Sequence, residues 1–181
     1  MTMPSIYLSP STQEYNPYIT GAGSEEHFMN LIADAMEPYL TANTIRFGRN
    51  TPEMTAASSI RQGNAGNYDF YLALHSNAGG GGAAYGPIAF YYAAGKELAG
   101  ALQASLIGTL DPNSHRSVKS GKGIYLLEKA NCPAVLIECG FLSNEAEEAK
   151  LRSPDYQKKL CCCIAATVTE FLTRRESTDI M

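Results

Sequence analysis

With 181 residues, the chain is long enough for one domain with a substantial core and too short for two comfortable ones. Hydrophobic residues make up 45% and charged residues 18%, which excludes a disordered chain, and a net charge of −4 offers no electrostatic footprint for nucleic acid or an anionic membrane surface. No apolar run approaches the roughly 18 residues of a membrane span.

The opening Met1-Thr2-Met3-Pro4-Ser5 has neither the basic nor the apolar region of a secretory leader, so the chain is expected to be made in the cytosol or to be a piece of something longer. A strand is predicted over 6–8, running into the polar loop Ser9-Pro10-Ser11-Thr12-Gln13. Ser24 is a good helix N-cap, and Glu25 and Glu26 follow in the first turn, where the helix dipole favours negative charge. Phe28, Leu31, Ile32, Ala35, Met36, Tyr39 and Leu40 then recur at helical spacing and predict a helix ending near 42–43. A second strand is expected over 44–48 and a second helix from Pro52-Glu53 to about 64.

The next strand, 70–75, ends Leu74-His75-Ser76-Asn77-Ala78 and runs into four glycines, so 79–87 reads as a mobile loop beside whatever site lies there. Further strands are predicted over 88–92, 123–127 and 134–139, with helices over 97–110 and 154–174 and a polar tail from 176 to 181. Alternating strands and helices set the βαβ rhythm of a parallel sheet. The fold expected is a single α/β domain over 1–175, with about six mostly parallel strands and helices on both faces. Of five cysteines, Cys161, Cys162 and Cys163 are adjacent on a helix, where no disulfide framework can form, so they read as small buried hydrophobes.

Two of these strands end in side chains able to do chemistry. The apolar run Ala134-Val135-Leu136-Ile137 leads directly into Glu138, with Gly140 letting the chain turn away, and Phe70-Tyr71-Leu72-Ala73-Leu74 leads into His75. Ligands of open α/β sheets bind outside the carboxyl ends of the strands, which makes Glu138 a candidate general base and His75 a candidate metal ligand or base. Taken alone, each also fits a residue that only accepts or donates local hydrogen bonds. Cys139 should point away from Glu138, to the other face of its strand.

Together, Leu74-His75-Ser76-Asn77-Ala78, Arg116-Ser117-Val118-Lys119 and the stretch from Pro133 to Phe141-Leu142-Ser143-Asn144 resemble the zinc-dependent N-acetylmuramoyl-L-alanine amidases of the amidase type 3 family. The order of elements matches along almost the whole chain. The resemblance implies a zinc cofactor held by His75 and by a Glu at the start of the first helix, four residues before an Asn. Glu26 and Asn30 meet that spacing, whereas the helical wheel places Glu25 nearer the buried face, so Glu26 is the expected ligand with Glu25 in reserve. Glu138 would be the catalytic acid and base, and Arg116 fits either a residue binding a stem-peptide carboxylate or a member of an ion pair near the strand. The family's first ligand, a His in a Pro-Gly-His segment, is absent: the segment reads Pro10-Ser11-Thr12. Gln13, a loop hydroxyl or a water remain as replacements. His27 lies about 100° round the helix from Glu26, and His115 falls where the family has no ligand.

The implied activity is hydrolysis of the amide joining N-acetylmuramic acid to the L-alanine of the stem peptide, by a monomer acting on peptidoglycan at the cell wall, as in a phage endolysin. A cell-wall binding module with a weakened metal site is the alternative. A zinc peptidase using the same residue types is a third, which the Phe141-Leu142-Ser143-Asn144 motif argues against.

Overall fold

The computed structural model describes residues 3–178. The leader reading at Met1 and Thr2 and the last three residues of the proposed tail, 179–181, lie outside the described residues. Six strands form one sheet in the order β2-β1-β3-β6-β4-β5, comprising β1 (Ser5–Pro10), β2 (Arg46–Arg49), β3 (Phe70–Asn77), β4 (Ile88–Tyr92), β5 (Lys119–Ser120) and β6 (Ala134–Phe141). Pairing is parallel except between β4 and β6, which run antiparallel. The expected mostly parallel, six-stranded α/β domain is therefore what the chain forms.

Alternation along the central strands divides the core in two. Ile6, Leu8, Phe70, Leu72, Leu74, Val135, Ile137 and Cys139 face the larger layer, packed under α1 (Glu25–Ala42), α3 (Lys96–Leu110), α5 (Glu145–Arg152) and α6 (Pro154–Thr178). Tyr7, Tyr71, Ala73, Ala134 and Leu136 face the smaller layer, under α2 (Ala56–Ala65) and α4 (Tyr125–Lys129). By the same alternation His75 and Glu138 fall on the smaller layer's side, beyond the last apolar residue of each strand. Cys139 is fully buried on the other side, as the alternation required.

Strands β1, β2, β3 and β6 differ from the sequence reading by one or two residues at their ends, and four larger differences stand beside them. The strand expected over 123–127 is helix α4: Gly123 turns with φ +90°, and the chain then winds into helix with Leu126 and Leu127 packed into the smaller layer. The edge position that it would have filled is taken by the two-residue β5. Helix α2 starts at Ala56 rather than at Pro52, because Thr55 and Ser58 form a reciprocal capping box. Helix α5, unforeseen, is capped by Asn144, whose side chain accepts from the N–H groups of Ala146 and Glu147 at 2.9 and 3.2 Å. Helix α6 runs on through Thr178.

The glycine run is pinned to the start of α5. Ser143 Oγ accepts from Gly79 N–H at 3.0 Å and donates to Gly79 O at 3.1 Å, while Asn144 Nδ2 donates to Ala84 O at 3.1 Å. Gly79, Gly80, Gly81 and Gly82 all have positive φ, which explains four successive residues without side chains. Among the described residues no helix is long and apolar enough to cross a membrane.

Candidate active site

His75 and Glu138 are register partners on the adjacent parallel strands β3 and β6. Partners in register point to the same face, so the two side chains stand next to one another at the carboxyl ends of the two most central strands. They floor a cleft of about 490 Å³ whose walls come from the loop after β1, with Ser11, Thr12, Gln13 and Tyr15, and from the start of α4, with Ile124 and Tyr125. Tyr15 and Tyr125 remain 74% and 47% exposed, large apolar faces left at the mouth of the cleft.

The environment of Glu138 is unusual for a carboxylate. Its Oε2 is buried without a hydrogen-bond partner, although the residue as a whole is only half-buried. Burial pushes its carboxyl up to about 7; the positive potential of His75 opposes that rise and the Glu25 carboxylate adds to it. A carboxyl poised there can both accept and return a proton at neutral pH.

The acid that reaches His75 is Glu25. Its Oε1 is 2.7 Å from His75 Nδ1 and accepts from Ser76 N–H at 3.3 Å. Glu25 is three and four residues ahead of the buried Phe28 and Met29, so it continues their stripe over the strand ends and is itself only 2% exposed. Glu26 instead shares its helix edge with Asn30, whose Nδ2 lies 3.4 Å from Glu26 Oε1, and it does not line the cleft. The spacing that selected Glu26 therefore picks the neighbour of the acid brought to His75. Burial pushes the Glu25 carboxyl up, but the hydrogen bond and charge of His75, with hydrogen bonds from Asn16 and Ser11, outweigh it and leave the group below its ordinary value. Since Glu25 is ionised and only accepts, His75 Nδ1 carries the proton between them.

Two further side chains complete this cluster. Asn16 Nδ2 donates to Glu25 Oε2 at 2.8 Å and to Gln13 Oε1 at 2.7 Å, and Gln13 Nε2 lies 3.4 Å from His75 Nδ1. Gln13 was among the candidates weighed, but Asn16 was not. Its spacing of three from Gln13 was the available signal.

The remaining candidates lie elsewhere. Arg116 stacks over the Phe141 ring at 4.8 Å, its Nε donates to Tyr85 O, and it does not line the cleft. His27 is exposed against the edge of Phe28, and His115 is exposed.

The donor set does not fit a three-ligand catalytic zinc. Two donors of one tetrahedral ion, each at about 2.0–2.1 Å from it, stand about 3.3 Å apart. His75 Nδ1 and Glu25 Oε1 are in direct hydrogen-bond contact at 2.7 Å. Thr12, where the resemblance implies a His, supplies no strong donor, and Gln13 Oε1 and the second oxygen of Glu25 both accept from Asn16. Among the described residues no group of three or more His, Cys, Asp or Glu side chains converges to hold an ion.

Comparison with known proteins bears on this cleft. Residues 10–170 match the family model described as N-acetylmuramoyl-L-alanine amidase. The chain is 33% identical over 115 residues to the germination-specific N-acetylmuramoyl-L-alanine amidase of Bacillus subtilis (strain 168), a match covering 62% of this chain and 48% of that protein. It is 24% identical over 164 residues to N-acetylmuramoyl-L-alanine amidase LytC of the same organism, covering 86% of this chain and 33% of that one. The chain thus spans about half or less of the length of these relatives. Among solved structures, the N-acetylmuramoyl-L-alanine amidase of Clostridium difficile 630 superposes with a TM-score of 0.87 at 23% identity, covering 96% of this chain and 98% of that one. AmiC2 of Nostoc punctiforme gives a TM-score of 0.86 at 17% identity, covering 95% and 98%. These likenesses establish the fold.

Proposed function

Since the chain belongs to the N-acetylmuramoyl-L-alanine amidase family, we propose that it is a peptidoglycan hydrolase acting in the cleft floored by His75 and Glu138. The bond cut is the amide between the lactyl carbonyl of N-acetylmuramic acid and the amino group of L-alanine. The observation that carries the reading is the pairing of His75 with Glu138 at the strand ends, with one carboxylate oxygen buried and unpartnered beside open space.

In this mechanism Glu138 accepts a proton from the attacking water as the oxygen bonds to the amide carbon. It returns that proton to the nitrogen as the C–N bond breaks, because an amine departs only when protonated. A carboxyl near 7 suits both halves of the task. Tyr15 and Tyr125 offer flat apolar faces to the sugar ring or stem peptide at the mouth. Zinc, the cofactor that the resemblance implies, would have only Glu25 and His75 as strong donors, and these already bond to each other, so no step here is routed through it.

The protein would act at the cell wall, as a monomer. The experiment is digestion of purified peptidoglycan followed by mass spectrometry of the soluble fraction, which should contain stem peptides with free amino-terminal L-alanine. A second reading, a muropeptide-binding module with little hydrolysis, is favoured by the missing third strong donor at Thr12. Retention of the protein on cell walls without release of peptide would select it.

A further inference from the structure

We infer that the hydrogen-bonded cluster of Gln13, Asn16, Glu25 and His75 stands in place of a metal ion, so that this site holds its imidazole without zinc and Glu25 is the residue positioning it. Only the catalytic consequence of this inference rests on the reading of the cleft as an amidase site.

Both Glu25 oxygens, the Gln13 side-chain oxygen and His75 Nδ1 are already used within the cluster. Glu25 Oε1 takes the Nδ1 proton of His75 and the Ser76 N–H, and Glu25 Oε2 takes one proton of the Asn16 amide. The other Asn16 proton goes to Gln13 Oε1. Because both acceptors lie on the same side-chain nitrogen, the Asn16 amide can face only one way, with its positively polarised hydrogens toward the centre of the cluster. That orientation repels a cation. Entry of zinc would require displacing the Nδ1 proton, opening the contact between His75 and Glu25, and freeing two oxygens from Asn16, in return for two strong donors and one amide oxygen. Oxygen donors of that kind suit zinc less well than imidazole or thiolate.

The cluster is also anchored from outside. Ser11 N–H donates to Leu74 O at 2.9 Å, Asn30 Nδ2 donates to Ser11 O at 3.3 Å, and Glu25 N–H donates to Asn16 O at 3.0 Å. The loop after β1 is thereby tied to β3 and to α1 through two backbone bonds and one side-chain bond that require no ion. With Nδ1 committed to Glu25, Nε2 is the ring nitrogen left for a ligand, in the manner of a histidine oriented by a carboxylate. The reaction balances without a metal: water adds to the carbonyl carbon, its proton passes to Glu138 and then to the departing nitrogen, and the products are the lactyl acid and the free amine.

The test is nitrogen-15 NMR of the histidine rings in chelator-treated wild-type protein, followed by zinc titration with parallel calorimetry. The expected result is a His75 ring with its proton on Nδ1, unchanged by zinc, and no one-to-one binding event at micromolar protein. A Glu25→Ala variant should lose the fixed tautomer and show both ring forms; if that variant does not fold, the wild-type titration alone decides. Stoichiometric zinc binding that removes the Nδ1 proton would overturn the inference. The same samples are then assayed on cell walls with and without 1,10-phenanthroline. Release of stem peptide at an unchanged rate supports the inference, whereas release abolished by chelator and restored by zinc overturns it and leaves the amidase reading standing. A zinc-insensitive ring with no release under either condition keeps the inference and sinks the amidase reading.

Discussion

Replacing Glu138 by Gln keeps the shape of the side chain and removes its ability to take up a proton. Burial, against the opposing influence of His75 and with that of Glu25, raises this carboxyl from its ordinary 4.5 to about 7. The folded chain therefore holds the proton more tightly than the unfolded chain. Folding takes up a proton between those two values, so the stability linked to this group is fully present below 4.5 and is lost as pH rises through 7. A displacement of that size corresponds to about 3 kcal/mol. Glutamine does not titrate, so Glu138→Gln should gain about 3 kcal/mol relative to wild type between about pH 4 and pH 8, as read from urea unfolding at both. Any penalty for placing an amide NH₂ near the unpartnered Oε2 position is the same at each pH and leaves that difference intact. Release of stem peptide should fall by about a hundredfold to ten thousandfold. Parallel stability curves across this range would mean that Glu138 titrates as an ordinary surface acid, and wild-type release by a folded variant would remove it from the chemistry.

Thr12→His adds a strong donor to the cleft wall beside Gln13 and His75, and calorimetry should then show a one-to-one zinc isotherm; traces identical to those of wild type would mean that the loop carries position 12 away from the pair. Arg116→Ala removes a cation stacked on Phe141 and should cost about 1 kcal/mol of stability while leaving hydrolysis within about twofold, so a large rise in KM without loss of stability would return this residue to substrate binding. Asn144→Ala deletes the cap of α5 and a bond to Ala84 O, and thermal unfolding should register a loss of about 1 kcal/mol, with no loss expected if the cap is idle. Tyr125→Ala should weaken retention on insoluble cell walls in a pull-down while leaving the fold unchanged by circular dichroism; undiminished retention would place the substrate away from α4.

Much of this arrangement could be read from residue order. Apolar runs ending in His75 and Glu138 located both side chains at strand ends, and the structure puts them in register. The two acids opening α1 were harder, because spacing relative to Asn30 and position on the buried stripe select different residues. The stripe decides, since Glu25 extends it over the strand ends to His75. Segment 123–127 misled because a short apolar run carries no periodicity and reads equally as a strand or as a turn of buried helix. Arg116 is assigned by motif, and the structure places it beside Phe141 and Tyr85, outside the lining of the cleft. The role of Asn16 depends on a loop path that no local pattern specifies, since it joins Gln13 to Glu25 across the start of a helix.

Mass spectrometry of purified peptidoglycan after incubation with the wild-type protein shows directly whether the cleft at the ends of β3 and β6 cuts the bond between sugar and stem peptide. The expected products are stem peptides bearing free amino-terminal L-alanine and glycan strands bearing free lactyl carboxyl groups, with both lost in Glu138→Gln. Intact muropeptides recovered from walls that nevertheless retain the protein would contradict cleavage in this cleft.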